Sequence, residues 1–153
     1  MIEQELLKIE LIEQDDIQEI MRIENSLFAV PWSEETFTID DKEQPSYKLL
    51  MNDILIGYLC GIIIQNVFYI SNIAIDKKYQ RKGYASYFLN KIIDKKIAQN
   101  FKKFILEVRE NNKKALKLYK KLHFRIYQRK KNYYFNPVED ALVLGRIIDY
   151  EKS

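Results

Sequence analysis

The 153-residue chain reads as an α+β domain, a sandwich around a mixed and largely antiparallel sheet. Three observations carry that reading. Apolar runs of strand length at 46–51, 54–64 and 67–75 follow one another across the two-residue turns Asn52-Asp53 and Gln65-Asn66, which predicts an antiparallel meander. Helical spacing then takes over at 84–97. It returns in a segment opened by Asn111 or Asn112, where Ala115, Leu118, Tyr119 and Leu122 fall at i, i+3, i+4 and i+7. Between the two helices, 103–109 is a short, nearly continuous apolar run. That suits a strand buried on both faces, hence a parallel crossover neighbour of the strand at 67–75.

The remaining elements follow from local signals. Residues 6–12 form a short strand. Asp15 with Gln18 three residues later is a capping signature, and Ile17, Ile20, Met21, Leu27 and Phe28 recur at helical spacing behind it. Pro31 stops that helix, and Ser33 is placed to cap a second short helix through Phe37 and Ile39. Residues 124–134 and 141–148 close the sheet as a pair of strands. The predicted order is β-α-α-β-β-β-α-β-α-β-β. No repeat, low-complexity tract or Pro/Gly linker interrupts it, so residues 1–153 are expected to form a single domain.

Composition narrows the class. Cys60 is the only cysteine, which excludes a disulfide framework, and with His123 as the only histidine no metal site is expected. A reducing cytoplasmic setting follows. The start is acidic where a signal peptide would be basic, and no apolar run approaches the roughly 20 residues of a membrane span, so no membrane partner is expected. The net charge of +3 hides an asymmetry: 91–131 holds 15 basic and 3 acidic residues. Two readings stand side by side, a solvated lysine-rich surface and a positive face for an anionic or ribosome-like partner.

The chemistry concentrates at Gln80-Arg81-Lys82-Gly83-Tyr84-Ala85, between a buried strand and an amphipathic helix. A helix start leaves backbone N–H groups without intrahelical partners and carries partial positive charge, so a phosphate placed there satisfies both. Gly83 lets the backbone approach a ligand, and Arg81 and Lys82 add full charges. The loop suits a pyrophosphate, although an ordinary solvated turn has the same local pattern. It is neither a Walker loop nor the three-glycine dinucleotide fingerprint.

That loop, set after the fourth strand, fits the Gln/Arg-x-x-Gly-x-Gly/Ala signature and resembles the GNAT superfamily of N-acetyltransferases. The likeness extends along most of the chain. Ile23-Glu24, Phe28, Pro31-Trp32-Ser33, Leu106-Glu107-Val108-Arg109, Asn112, Ala115, Leu118-Tyr119, Phe124, Arg129, Tyr133-Tyr134 and Glu139-Asp140-Ala141 look like the ribosomal-protein alanine N-acetyltransferases, the RimI group. One departure is His123, where the group usually has a glycine serving a left-handed helix end. The resemblance implies a GNAT-type three-layer sandwich and acetyl transfer from acetyl-CoA to the α-amino group of a protein N-terminus, the N-terminal alanine of a small-subunit ribosomal protein. It implies that Ile73, Ala74 and Ile75 pair with the pantetheine arm, on a strand that splays from the next. Gln80, Arg81, Lys82, Gly83, Tyr84, Ala85 and Ser86 would take the pyrophosphate, and Asn112 would contact the coenzyme.

The same resemblance selects the catalytic candidates. Glu107 would be the base, mid-strand in an apolar run where desolvation favours proton uptake by a carboxylate. From position alone, an ion pair with Arg109 two residues along competes with that role. Tyr119 would be the acid for the departing thiolate, although it lies on the apolar stripe of its helix and suits the core equally well. Tyr133 and Tyr134 would cover the substrate's first residues, or serve as strand aromatics. Glu24, on the apolar face of the first helix, either satisfies a buried polar group or lines the amine's entry. Cys60 reads as core, against a ping-pong route through acetyl-cysteine. The alternatives are a same-fold enzyme acting on lysine, a polyamine or another small amine, and a non-catalytic acyl-CoA- or RNA-binding module, for which no aromatic-lined RNA platform is evident.

Overall fold

The computed structural model describes residues 6–148. Its strands are β1 (Leu7–Leu11), β2 (Ser46–Met51), β3 (Ile54–Ile64), β4 (Val67–Ile75), β5 (Lys103–Arg109), β6 (Arg125–Tyr134) and β7 (Glu139–Ile147). Its α-helices are α1 (Ile17–Leu27), α2 (Tyr84–Ala98) and α3 (Lys113–Lys121). The strands form one sheet in the order β1-β2-β3-β4-β5-β7-β6. Its β4–β5 pairing is parallel and the other neighbours are antiparallel. Strands β2 to β5 match the sequence reading to the residue. Both meander turns have two residues of positive φ, 49° and 66° at Asn52-Asp53 and 48° and 67° at Gln65-Asn66. That is the backbone of the hairpin turn whose twist matches its strands.

Two apolar clusters lie on opposite faces of the sheet and make the three layers. On one face, Phe88, Leu89, Ile92 and Ile93 of α2 pack with Phe68, Phe104 and Leu106, and Tyr119 and Leu122 extend the cluster. On the other, Ile17, Ile20 and Ile23 of α1 pack with Phe37, Leu55, Tyr58 and Cys60. Fully buried side chains such as Phe68 and Ile20 each contribute about 1.5–3 kcal/mol by leaving water. The α1-side cluster draws on β3 and β4 but on no residue of β5. Strand β5 is therefore not buried on both faces as its apolar run predicts. Phe104, Leu106 and Val108 are buried, Ile105 is half-buried, and Lys103 and Glu107 are exposed. The eleven-residue α1 stops short of β5, and this uncovered stretch of sheet becomes part of the site.

Three local expectations change. The capping box lies at Glu13 and Asp16 rather than Asp15 and Gln18, and a 3₁₀ turn at Gln14–Asp16 leads into α1. The second helix after Pro31 is only a 3₁₀ turn, Glu34–Thr36. Ser33 spends its hydroxyl on Thr36 Oγ1 at 3.0 Å instead of capping a backbone amide, and Phe37 leaves the turn to meet Trp32 and Tyr58 in the core. Phe28 lies beyond the end of α1, in extended backbone.

The helix end at His123 is left-handed despite the departure from glycine, with φ 71°. Its N–H reaches Lys120 O at 3.0 Å and the next N–H, of Phe124, reaches Tyr119 O at 3.0 Å. Phe124 also packs on Tyr119, ring centroids 5.9 Å apart. These are the bonds and the apolar contact of a Schellman ending, built without glycine.

The basic segment is more than solvated surface. Lys96 is buried with Nζ 5.4 to 5.6 Å from the ring centroids of Tyr47, Phe68 and Phe101. Burial lowers its pKa. No helix among the described residues is long and apolar enough to cross a membrane. No cluster of three metal-ligating side chains occurs among them.

Candidate active site

A bulge opens the site. Strands β4 and β5 pair only from Val67↔Lys103 to Ile70↔Leu106. The next residue of β4, Ser71, is the extra one of a bulge, since Gly61 pairs with Ile70 and Cys60 with Asn72. Ser71 Oγ donates to Cys60 O at 3.1 Å. Bulges bend and twist their strand, so β4 turns from β5 beyond Ile70 and leaves a wedge. Two clefts meet there, of about 490 and 720 Å³, sharing Phe28, Ile73, Asn112, Ala115 and Tyr119 as a common wall.

The smaller cleft lies at the helix-start end of the wedge. Ile73, Ala74 and Ile75 line it from β4, and Gln80, Arg81, Gly83, Tyr84, Ala85 and Ser86 line it from the loop and first turn of α2. Gly83 adopts φ 86°, and Arg81 also has positive φ, at 65°. The first helical bond runs from Tyr87 N to Gly83 O, so the amides before Tyr87 have no intrahelical acceptor. Two loop side chains differ from expectation. Gln80 Nε2 donates to Ile75 O at 2.9 Å, tying the loop to the end of β4. Lys82 does not line the cleft.

The larger cleft is bounded by Glu107, Arg109, Tyr133, Tyr134 and the β6–β7 connection on one bank, and by Ser71 and Asn72 on the other. Glu107 faces solvent with its side chain 30% exposed, so the desolvation expected for it is absent. Its anticipated partner is committed elsewhere. Arg109 donates to Glu139 Oε1 at 3.1 Å, Phe135 O at 2.8 Å and Pro137 O at 3.0 Å, and its guanidinium stacks 4.5 Å from the Tyr134 ring. It staples the hairpin. Glu107 instead accepts from Tyr133 Oη at 3.0 Å and from Lys130 Nζ. The bond to Glu107 raises the Tyr133 pKa, and burial pushes Tyr134 up to about 12.

Tyr119 lies at the junction of the two clefts and is buried. Desolvation, with Tyr134 as a lesser cause, pushes its phenol up to about 12. Asn112 also borders both clefts, and its Oδ1 caps α3 by accepting from Ala115 N at 3.1 Å. Glu24 does not line either cleft. Only 1% exposed, it accepts from Tyr58 Oη at 2.7 Å, Asn72 Nδ2 at 2.9 Å and Trp32 N at 2.9 Å. Of the two roles open to it, satisfying buried polar groups is the one its contacts support, and through Asn72 it orders a cleft wall.

Sequence reasoning missed Asn72 and Lys130 as members of this site. It assigned Arg129 and the Glu139-Asp140 pair no role. Arg129 Nη1 holds Asp140 Oδ2 at 3.1 Å, and Asn132 N donates to Asp140 Oδ1 at 2.9 Å. The Asn132 amide first, then Arg129, holds the Asp140 carboxyl below its ordinary range. Their signal was separation in the motif, which hinted at importance but not at contact.

A helix start and a carboxylate thus lie at opposite ends of one strand wedge. Residues 17–124 match the model of the Acetyltransferase (GNAT) family, and the chain belongs to that family. The chain is 30% identical over 140 residues to the [Ribosomal protein bS18]-alanine N-acetyltransferase of Escherichia coli K12, covering 90% of this chain and 95% of that one. The protein of the same description from Haemophilus influenzae is 33% identical over 142 residues, covering 90% and 96%. The crystal structure of the ribosomal-protein-S18-alanine N-acetyltransferase from Escherichia coli superposes with a TM-score of 0.87 at 29% identity, covering 94% of each chain. A spermidine N-acetyltransferase from Vibrio cholerae superposes at 0.81 with 21% identity and 94% coverage of each, a likeness of fold alone.

Proposed function

We propose that this chain transfers the acetyl group of acetyl-CoA to the α-amine of a protein N-terminus, with the N-terminal alanine of ribosomal protein bS18 as substrate. The observation that carries this reading is the wedge between β4 and β5, with first-turn amides of α2 at one end and Glu107 at the other. The residues fit acetyl-CoA: amides without intrahelical acceptors before Tyr87, a left-handed Gly83, and a stretch of β4 beyond its ladder with β5. Gly83, Tyr84, Ala85 and Ser86 would hold the pyrophosphate and Ile73 to Ile75 the pantetheine arm. Bound there, the coenzyme supplies the acetyl thioester.

The chain's own residues then handle protons. The attacking amine must lose one, and an α-amine with a pKa near 8 yields it more readily than a lysine near 10.4. Glu107, open to the larger cleft, is the acceptor, directly or through one water. Tyr119, pushed up to about 12 by burial, is protonated at neutral pH as an ordinary phenol also is, and its place at the junction of the clefts makes it the donor to the departing thiolate. Burial pushes the Cys60 thiol up to about 12 as well, and it packs in the α1-side core and lines neither cleft, which favours direct transfer. The ribosomal substrate sets the reaction in the cytoplasm.

The test is incubation with acetyl-CoA and, separately, a peptide bearing the bS18 N-terminus, a lysine peptide with a blocked N-terminus, and spermidine. Mass spectrometry then locates the added acetyl group. Acetylation of the peptide's α-amine is expected; modification confined to lysine or spermidine overturns the substrate assignment.

A further inference from the structure

Glu107 lies on the uncovered face of β5, and its fixed donors come from two strands away. Strand β7 separates β5 from β6, with Val143 opposite Glu107 on one side and Gln128 on the other. Two strand spacings are about 9.5 Å, so only long side chains on β6 span the gap. Lys130 and Tyr133 do so and take one carboxylate oxygen each, Lys130 Nζ on Oε2 and Tyr133 Oη on Oε1. Lys130 Nζ also lies 4.9 Å from the Tyr133 ring centroid, closing a triangle.

In a regular strand this convergence is impossible, because residues three apart point to opposite faces. Strand β6 breaks its alternation between them. Lys130 pairs with Ala141 and Tyr134 with Glu139, four residues on β6 against two on β7. Asn132 supplies the break with φ 50°, and its N–H is pinned by Asp140, itself held by Arg129. An irregularity fixed by two further side chains thus aims two donors at one carboxylate.

We propose that Lys130 is a positioning residue for acetyl transfer, fixing the Glu107 carboxylate across β7 in the orientation that meets the incoming amine. The inference rests on the proposed function and adds to it a residue that acts only through Glu107. Lys130 itself does not line the larger cleft, so it leaves the amine's path open. Its side chain is 39% exposed, and its bond to Glu107 raises its own pKa, so it stays an ammonium under working conditions. Tyr133 alone would tether a single oxygen and leave the carboxylate free to swing about that bond.

Lys130→Met and Lys130→Arg test this with the intact chain. The Met variant keeps the stem, and the Arg variant keeps charge and reach. Expected are an approximately ten-fold lower kcat for Lys130→Met, unchanged KM for the peptide, unchanged coenzyme affinity, and recovery in Lys130→Arg. In a Glu107→Gln background, Lys130→Met should cause no further loss, because its route runs through the missing carboxylate. An unchanged kcat, a loss confined to KM, or full additivity with Glu107→Gln overturns the proposal. NMR of ¹⁵N-labelled lysine ammonium groups reads the contact without turnover: one signal should broaden and shift in Glu107→Gln, as it vanishes in Lys130→Met. A persistent, unaltered signal overturns the proposal on its own. If the wild type acetylates no amine while that signal does respond, the contact stands and the proposed function falls, taking the catalytic role of Lys130 with it.

Discussion

The two banks of the wedge are made in different ways. The α2 bank comes from one continuous stretch, β4, its loop and the first turn of α2, and it offers the backbone amides before Tyr87. The opposite bank collects residues from β5, β6, the turn after β6 and α3. There Arg109 binds Glu139, Arg129 binds Asp140 and Lys130 binds Glu107. A backbone cradle tolerates side-chain change as long as its φ and ψ survive. A bank of aimed side chains can be dismantled one residue at a time. Substitutions on the two banks should therefore separate coenzyme binding from amine chemistry.

The strongest test of that separation is Glu107→Gln. It preserves size and a partner for Tyr133 but removes the proton acceptor, so kcat/KM for the peptide should fall about 100-fold or more. Calorimetry should find acetyl-CoA affinity unchanged. A matching loss of coenzyme binding would merge the two banks and break the comparison. Tyr119→Phe comes next, with turnover reduced by roughly 10- to 100-fold and little change in thermal unfolding, since the ring stays in its buried place. The pH profile sharpens this. A phenol pushed up to about 12 retains its proton below that value and loses it only above. Wild-type kcat should therefore show no alkaline decline traceable to Tyr119 up to about pH 10; a decline absent from Tyr119→Phe would show that the phenol titrates earlier.

Arg109→Met should act on the amine bank alone, raising the peptide KM several-fold as the hairpin carbonyls of Phe135 and Pro137 lose their donor. Loss of these charge-assisted bonds should lower stability by about 1–2 kcal/mol in denaturant titration. On the backbone bank, Gly83→Ala forces a side chain into φ 86°, at a cost of about 1 kcal/mol, and should weaken acetyl-CoA by up to about five-fold with kcat at saturation preserved. The smallest effect lies outside both banks. His123→Gly relieves a left-handed φ of 71° and should stabilise the fold by about 0.5–1 kcal/mol, seen as a rise of a few degrees in Tm with activity unchanged.

Legibility in the sequence divides along the same line. The α2 bank could be read because its parts are neighbours in the chain. A strand-length apolar run, a glycine in a basic loop and a helical period follow one another within residues 67–97, and the helix start itself makes the amides available. Much of the amine bank could be named only through the likeness to a family, and its contacts were not foreseen. Glu107 looked desolvated because its neighbours in the chain are apolar. Whether α1 reaches over β5 is not written in those neighbours. Arg109 looked like its ion-pair partner because they share a strand face, yet Glu139, thirty residues away, offered a better geometry. The second helix failed for a similar reason, since Phe37 gains more from the aromatic contacts in the core than from one further helical turn.

By itself the sequence determined the meander, the parallel crossover strand, the start of α3 to within one residue and the loop with its glycine before α2. All of these depend on residues within a few positions of one another, where period, turn chemistry and caps act directly. Only the tertiary structure decided which side chains stand around Glu107, why β4 leaves β5 after Ile70, and that Glu24 belongs to the foundation of the site. Those outcomes depend on a bulge, a helix length and ion pairs across strands. Each is set by packing between segments far apart in the chain, where no local pattern records the partner.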